Sequence, residues 1–426
     1  MSPLADHPLR YKLANELHAR PFPSMSAPCS AAYVAIKQPE RAAVRDRSED
    51  LDHLIRLLDR YGAPHPQPGA THYYGPIGRR WLKWEQHTEF VTYTVFTEAL
   101  EQRPFDASAF DPFPEEWLSD APGECITSCL VRIAPRPSER EIGKQLAAWF
   151  VPESLAVSSV LDDAAVAAGD FRIDENGHMR FAVFVAPETG TRRIGRIVQR
   201  LCEIETYKSM SMLGFARVRD LGPQLGALDT RLTDLVGEMS GGATGPETTL
   251  QSLLEISAEL ETVSAQTSFR FGATGAYEAI VNQRILALRE GRWRGRQIFA
   301  EFMMRRYEPA MRTVNSVEHR LDAMSARAVR AANLLRTRVD VERSAQNQKL
   351  LKSMDQRSDL QLRLQKTVEG LSVVAISYYA VSLVSYVLYP ATALVNVSKG
   401  MLTAAVTVPV VLLVWALVRR IRRKME

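Results

Sequence analysis

Two long stretches near the C-terminus constrain this chain more than any other feature, because neither contains a charged residue. Residues 371–398 and 400–418 are separated only by Lys399. Helices at 371–389 and 401–418 would each extend about 27 to 28 Å, close to the ~30 Å hydrocarbon core of a bilayer. A soluble core rarely hides two such helices in tandem. We therefore predict a transmembrane hairpin over residues 371–418, with the lipid bilayer as a partner.

Basic residues precede the first span of this hairpin and follow its second span. The positive-inside rule places such cation-rich flanks in the cytoplasm, while the turn between the spans carries one lysine. We therefore expect both termini in the cytoplasm, and nothing in Met1–Arg10 has the apolar run of an export signal. The membrane-flanking basic residues are Arg357, Arg363 and Lys366 before the first span, and Arg419, Arg420, Arg422, Arg423 and Lys424 after the second.

The overall composition conceals this organisation. With 426 residues, 46% of them hydrophobic, and a net charge of +4, the chain has the averages of a soluble globular protein. A chain this long buries a large core, which excludes disordered and small disulfide-stapled classes. The near-neutral total arises because an acidic front, residues 1–190, cancels a basic rear. Cys125 and Cys129 lack the second pair that a zinc site needs, so we expect reduced thiols and neither metal nor cofactor.

The region before the hairpin is predicted to be helical. Residues 310–369 contain neither glycine nor proline, so one helix of roughly 90 Å could lead directly into the first span. Its apolar residues follow a 3-4 repeat, and its polar second half needs partners, either earlier helices or copies of the chain. We expect this helix to be the coiled-coil stalk of a homo-oligomer, and we expect earlier helices at 190–220, 224–239, 247–269 and 276–289.

A dense arginine cluster precedes the long helix. It comprises Arg289, Arg292, Arg294, Arg296, Arg305 and Arg306, with Trp293 among them. Arginine and tryptophan together could bind nucleic acid or lie near anionic lipid. Neighbouring glutamates could instead pair with these arginines within the chain, which is the interpretation we favour. We therefore expect no nucleic-acid partner.

The front of the chain is predicted to be an α+β domain with a mixed sheet. Strand patterns occur at 31–37, 90–96, 129–134 and 155–161, and a helix pattern occurs at 41–60. A hairpin is expected over 171–185, turning at Asn176-Gly177. The predicted organisation is an α+β domain at 1–189, a helical bundle at 190–370 with its stalk at about 310–370, a hairpin at 371–418 and a basic tail at 419–426.

Catalytic signatures are missing from the sequence, which contains no phosphate-binding loop, dinucleotide fingerprint or nucleophile elbow. We therefore do not expect an enzyme. Two polar clusters pair a histidine with a nearby carboxylate, as acid–base chemistry or ligand binding would require. The same residues could instead be structural. These clusters contain Asn15, Glu16, His18 and Arg20 in the first, and Glu85 and His87 in the second.

One face of the first span carries hydroxyl groups. Tyr378, Ser382, Ser385 and Tyr389 follow a 4-3-4 spacing and share one side of a helix. This face could line a pore, or it could pack against another helix, since small hydroxyl residues favour such contacts in lipid. Neither span contains Asp, Glu, Arg or His, which argues against an active pump.

Four motifs resemble an uncharacterised bacterial family, catalogued as domain of unknown function 3422 and described as membrane-anchored. The resemblance covers nearly the whole chain and implies membrane attachment, but it implies no activity and no site residues. We expect the membrane to be the bacterial inner membrane. The motifs are Asn15-Glu16-Leu17-His18-Ala19-Arg20-Pro21, Lys83-Trp84-Glu85-Gln86-His87-Thr88-Glu89-Phe90, Glu203-Ile204-Glu205-Thr206-Tyr207 and Glu369-Gly370-Leu371-Ser372.

The layout also resembles that of CorA-type magnesium transporters, which combine a cytoplasmic α/β domain, a long helix and a two-span hairpin. The Gly-Met-Asn motif that closes their first span is missing, because this chain reads Val387-Leu388-Tyr389-Pro390 there. We expect an inner-membrane-anchored protein with a large cytoplasmic domain, assembled as a CorA-like ion channel or transporter. The alternative is a membrane-anchored scaffold or sensor that binds a cytoplasmic partner without transport.

Overall fold

The computed structural model forms two compact units. The first contains residues 1–241 and 251–331, and the second contains residues 242–250 and 332–426. The described residues are 6–11, 22–241, 245–391 and 398–425, with side chains left out at 240, 241, 391 and 422–425.

Within the described residues, nine strands form one sheet in the first unit, in the order β2-β3-β4-β1-β5-β8-β7-β6-β9. The β5–β8 pair is parallel and the remaining pairs are antiparallel, so the predicted mixed sheet and α+β class are confirmed. The strands are β1 (Cys29–Lys37), β2 (His72–Ile77), β3 (Arg80–Gln86), β4 (Phe90–Thr97), β5 (Glu124–Pro135), β6 (Ala156–Val160), β7 (Ala165–Ile173), β8 (Met179–Val185) and β9 (Gly291–Arg292).

The predicted turn at Asn176-Gly177 joins β7 to β8. Gly177 has a φ of 87°, which glycine adopts without strain. The carboxylate of Asp174 accepts hydrogen bonds from the backbone N–H groups of Asn176 and His178, at 3.0 and 2.9 Å. This turn therefore has the local chemistry that its sequence indicates.

The described helices are eight α-helices in addition to short 3-10 turns. They are α1 (Arg47–Arg60), α2 (Glu115–Ser119), α3 (Glu139–Trp149), α4 (Thr191–Gly241), α5 (Pro246–Leu288), α6 (Phe299–Arg306), α7 (Glu308–Leu388) and α8 (Lys399–Met425). The helix expected from residue 41 begins instead at Arg47, where the side chain of Asp46 accepts a hydrogen bond from the backbone of Ser48 and caps the helix.

The four short helices expected between 190 and 289 are wrong in their boundaries. The structure has two long helices, α4 and α5, and Pro223 lies inside α4. Proline removes one backbone hydrogen bond from a helix. Helix α4 nevertheless continues because apolar residues on both sides of the proline are buried, among them Val218, Leu221, Leu225 and Leu228.

The two faces of the sheet differ in chemistry. On one face, Val91, Tyr93 and Val95 of β4 belong to an apolar core that also contains Leu54 of α1. On the other face, Thr92 and Thr94 of β4 lie beside α4, around a small cavity that α4 also lines. Because successive side chains of a strand point to opposite faces, this second face is where the sheet presents its polar residues to a helix.

Two described helices contain segments long and apolar enough to cross a membrane. The most apolar 18-residue stretch of α7 has a mean hydropathy of 1.9, and that within Lys399–Ile421 of α8 has a mean hydropathy of 2.4. Few residues of either segment are buried within the chain. The predicted uninterrupted helix before the first span is present, since α7 runs without a break from Glu308 to Leu388.

Candidate functional site

The predicted hydroxyl face of the first span lines a groove in the second unit. Tyr378, Ser382, Ser385 and Tyr389 all contribute to this groove, which lies between α7 and α8 and has a volume of about 900 Å³. On the α8 side, Lys399, Thr403 and Thr407 line the groove. The structure therefore brings the four residues together against the second span.

Hydroxyl groups give this groove its chemistry. Among the described residues, Ser377 Oγ and Ser385 Oγ are buried without a hydrogen-bond partner. The Thr407 hydroxyl, in contrast, donates to the carbonyl oxygen of Thr403 in its own helix at 2.7 Å. The ammonium group of Lys399 lies 4.8 Å from the ring centroid of Tyr389, within the range of a cation–π contact. The groove thus offers polar groups inside an otherwise apolar hairpin.

The basic residues after the second span continue α8. The guanidinium of Arg419 lies 5.0 Å from the ring centroid of Trp415. Arg419 and Arg420 are both exposed. The side chains of Arg422, Arg423 and Lys424 lie outside the described residues. Tryptophan and arginine at the end of an apolar helix are typical of a membrane interface.

The second polar cluster lies between the sheet and α4. Glu85 forms an ion pair with Lys83 at 2.8 Å, and His87 stacks on Phe90 with ring centroids 4.4 Å apart. Both residues line a cavity of only about 30 Å³, room for about one water molecule. This geometry favours the structural interpretation of Glu85 and His87. The first cluster, with Asn15, Glu16, His18 and Arg20, lies outside the described residues.

A buried charge next to this cluster ties α5 to the sheet. Glu89 is 1% exposed and accepts a hydrogen bond from Tyr277 at 2.9 Å. Arg270 forms an ion pair with the same carboxylate. A buried carboxylate is stable only when it is paired and hydrogen-bonded in this way. The contacts account for Glu89 as a structural residue.

The arginine cluster makes ion pairs within the first unit. Arg289 lies 2.7 Å from Asp162, and Arg292 pairs with Glu301. Trp293 is buried in the core, so its ring is not available for stacking on a base. These contacts support the intramolecular interpretation of the cluster.

A cleft that no sequence motif indicates lies between the sheet and the segment around α2. Its volume is about 680 Å³, within the usual range for small-molecule sites. Apolar side chains form most of its walls, and Cys125, Ser128 and His178 contribute polar groups. The apolar lining includes Val34, Ile36, Phe110, Phe113, Pro114 and Leu118.

A hydrogen bond joins two polar groups of this cleft. His178 Nδ1 lies 2.8 Å from Ser128 Oγ, and the ring of His178 stacks on Phe110 at 4.2 Å. Burial lowers the pKa of His178, so its imidazole is neutral near pH 7. Among the described residues, no hydrogen bond is made by Nε2. That atom can therefore donate to a ligand or accept from one, depending on the tautomer.

Cys125 is not arranged as a reactive thiol. Cys125 is exposed as a residue, but partial desolvation of its sulfur raises the pKa of the thiol, an effect that a hydrogen bond with Ser128 opposes. Nucleophilic cysteines need the opposite shift, because the thiolate is the reacting species. The raised pKa of Cys125 therefore gives no support to a thiolate nucleophile in this cleft.

A bulge in β5 explains why the sequence does not reveal this cleft. The pairing of β1 with β5 shifts register between Ala35 and Ile36, where Ala35 opposes Thr127 and Ile36 opposes Cys125. Without the bulge, residues three apart in a strand would face opposite sides. The extra residue brings Cys125 and Ser128 to the same face. The sequence signal for this shared face is the spacing of three between two polar residues, Cys125 and Ser128, within an apparent strand.

Within the described ranges, no group of three or more His, Cys, Asp or Glu side chains is arranged to hold a metal ion.

A family model described as Protein of unknown function (DUF3422) matches residues 5–425, almost the whole chain. No curated protein matches the chain, and no solved structure matches it either. The resemblance to CorA-type transporters is therefore not confirmed.

Proposed function

The chain belongs to the family described as Protein of unknown function (DUF3422), and from this premise we propose that it is a membrane-anchored binding protein. Its hairpin holds it in the bacterial inner membrane with both termini in the cytoplasm. Its first unit binds a small molecule in the cleft of Cys125, Ser128 and His178. The cleft is the observation that carries this proposal.

Exposed apolar surface supports the membrane anchor. Tyr378, Leu383 and Leu413 are each at least 65% exposed, in helices with many similar residues. A soluble protein rarely exposes so large an apolar surface, whereas a bilayer covers it. Exposed Arg419 and Arg420 at the end of α8 support a cytoplasmic C-terminus by the positive-inside rule.

The lining of the cleft defines the class of ligand. The charged residues among the described lining residues are Asp111 and Glu115, both acidic and exposed. A carboxylate or phosphate ligand would meet repulsion there, while a cation would be attracted. Aromatic side chains and a neutral imidazole suit a planar apolar body with a hydrogen-bonding group. We therefore propose a neutral or cationic aromatic ligand.

Two indole probes of opposite charge test this proposal. The full chain in lipid nanodiscs should bind cationic tryptamine at least about tenfold more tightly than anionic indole-3-acetate, a difference of ~1.4 kcal/mol. Saturation-transfer NMR would detect binding, with competition giving the ratio. Equal binding of the two probes, or binding of neither, would contradict the assignment.

Two adjacent glutamates supply a matched pair of variants. Glu115 lines the cleft, whereas Glu116 faces away and has an 88% exposed side chain near Arg60. Both lie in the first turn of α2, so their effects on the helix dipole are alike. Glu115→Lys should weaken tryptamine binding, and Glu116→Lys should leave it unchanged. The same loss in both variants would argue against binding in the cleft.

Ion conduction is a second candidate function. It is favoured by the position of the four hydroxyl residues, which all line the groove between the spans. If the groove belongs to a pore, Ser382→Asp should change ion flux into liposomes, while Ser382→Ala should have a smaller effect. Flux that is identical in wild type and Ser382→Asp, or absent from wild type, would exclude this candidate.

A further inference from the structure

We propose that residues 350–371 of α7 form a parallel coiled coil with the same segment of further copies of this chain. This segment is called the stalk seam below. The proposal rests on the membrane anchoring proposed above, because anchoring fixes the direction and height of each copy.

The stalk seam has an exposed apolar stripe with heptad spacing. Leu350, Met354, Leu364, Val368 and Leu371 fall on the a and d positions of one heptad register, and each is at least 57% exposed. Nothing in the described part of the second unit covers them. A heptad stripe keeps one face of a helix turned toward a partner over many turns.

Charged residues avoid this face. Between Lys349 and Glu369 the charged residues occupy positions b, c and f of the same register, with Arg357 at d as the exception. The flanking e and g positions hold uncharged residues, including Leu351 and Leu360. Among the a and d positions of the stalk seam, Arg357 at d and Gln361 at a are the polar residues. The long stem of Arg357 can carry its charge outward, so the seam can meet a copy of itself with little repulsion.

The stalk seam is distinct from the stripe that packs inside the first unit. That earlier stripe includes Val314, Leu321 and Ala328, all buried. If the 3-4 spacing of this stripe continued beyond Leu335, the next positions would include charged residues and later Lys349. Lys349 precedes Leu350 by one residue, so the two stripes do not share a register. The chain therefore ends one apolar stripe and begins another on a different face of α7.

A second copy of this chain is the occupant that the sequence fits best. Copies anchored by the same hairpin lie at the same height, so equal residues stand opposite each other and no search for register is needed. Val368 at a, between Leu364 and Leu371 at d, is a favoured combination in parallel coiled coils. The same register continues without a break through Ala375 into the groove-lining residues Tyr378, Ser382, Ser385 and Tyr389.

Assembly in this register has a consequence inside the membrane. It would bring the Ser382 and Ser385 positions of all copies to the same two levels.

Thiol cross-linking in membranes tests the stalk seam. In full-length chain carrying Cys125→Ser, Val368→Cys places a thiol in the seam, and Lys366→Cys places one at position f as a control. With a short bismaleimide, Val368→Cys should give at least tenfold more covalent dimer than Lys366→Cys. Equal dimer from the two, no dimer from Val368→Cys despite full maleimide labelling, or an adduct with a different protein would overturn the proposal.

Two leucines provide a second test that does not depend on cysteine chemistry. Leu364 lies in the seam and Leu362 at position b, and both are more than half exposed. Leu364→Glu should lower the mass of the nanodisc-purified particle, and Leu362→Glu should not. A chain found in the soluble fraction would contradict the anchor, whereas a membrane-bound chain with equal masses in both variants would contradict the seam.

Discussion

His178 Nδ1 lies 2.8 Å from Ser128 Oγ in the cleft, although the two residues are fifty positions apart in the sequence. The bond links β5 to the turn between β7 and β8. Ser128 is buried and also donates to the carbonyl oxygen of Gly177 at 3.2 Å, whereas Nδ1 of the half-buried His178 would lose its hydrogen bond if the Ser128 hydroxyl were removed.

Ser128→Ala tests this contact. Loss of the hydroxyl should lower the free energy of unfolding by about 1 to 3 kcal/mol and weaken tryptamine binding, because His178 loses its partner. Ser119→Ala is the control, since Ser119 is exposed and its hydroxyl bonds only to Glu115 of its own helix. Thermal unfolding and NMR competition measure the two effects. A Ser128→Ala protein that matches the control in both would show that the bond is unimportant.

His53 should make stability fall as the pH is lowered. The imidazole is fully buried between Tyr93 and Trp117, and burial lowers its pKa from 6.5 to about 4. The folded state therefore disfavours the protonated form. Its contribution is complete above pH 6.5 and is lost as the pH falls toward 4, by roughly 3 kcal/mol in total.

The measurement for His53 compares wild type with His53→Gln at several pH values. The stability advantage of wild type should shrink between pH 7 and pH 5, because the glutamine does not titrate. An advantage that stays constant over this interval would contradict the assignment of this pH dependence to His53.

Glu89→Ala should be far more damaging than a comparable change at an exposed ion pair. Removing Glu89 leaves Arg270 without its buried partner, at a cost of about 3 to 5 kcal/mol. Asp229 also pairs with two arginines, Arg320 and Arg327, but it is partly exposed, so Asp229→Ala should cost about 1 kcal/mol or less. Equal losses in denaturation experiments would refute the distinction.

Gly195→Ala should release the segment before β1 from α4. A Cβ at this position would overlap the backbone carbonyl of Pro23. Gly143 in α3 has open space around it, so Gly143→Ala should be neutral or slightly stabilising. Limited proteolysis should cut Gly195→Ala near Pro23 faster than wild type or the control. Unchanged cleavage rates would show that the segment accommodates the methyl group.

Features that depend on local sequence could be predicted. The uncharged spans, the unbroken α7 and the Asn176-Gly177 turn each follow from neighbouring residues. Pro223 misled because burial of α4 overrode the local preference of proline. Strand β2 was missed because it is short and contains Pro76, which is unfavourable except in edge strands such as this one.

The cleft could not be predicted, because it depends on distant parts of the chain. Cys125 and Ser128 share a face only through the bulge in β5, and His178 arrives from a different strand pair. Glu85 and His87 form a local motif that the sequence displays, but the small space around them is set by the packing of α4 on the sheet. The cleft is therefore a product of the tertiary structure, which local sequence patterns do not encode.

The arrangement in the membrane is the central claim, and thiol accessibility in intact spheroplasts tests it most directly. Ser398→Cys places a thiol in the turn before α8, while native Cys125 is exposed in the α+β unit. An impermeant maleimide, read by peptide mass spectrometry, should label Ser398→Cys in intact spheroplasts and Cys125 only after the membrane is permeabilised. Labelling of Cys125 in intact spheroplasts, or protection of Ser398→Cys until permeabilisation, would contradict the account.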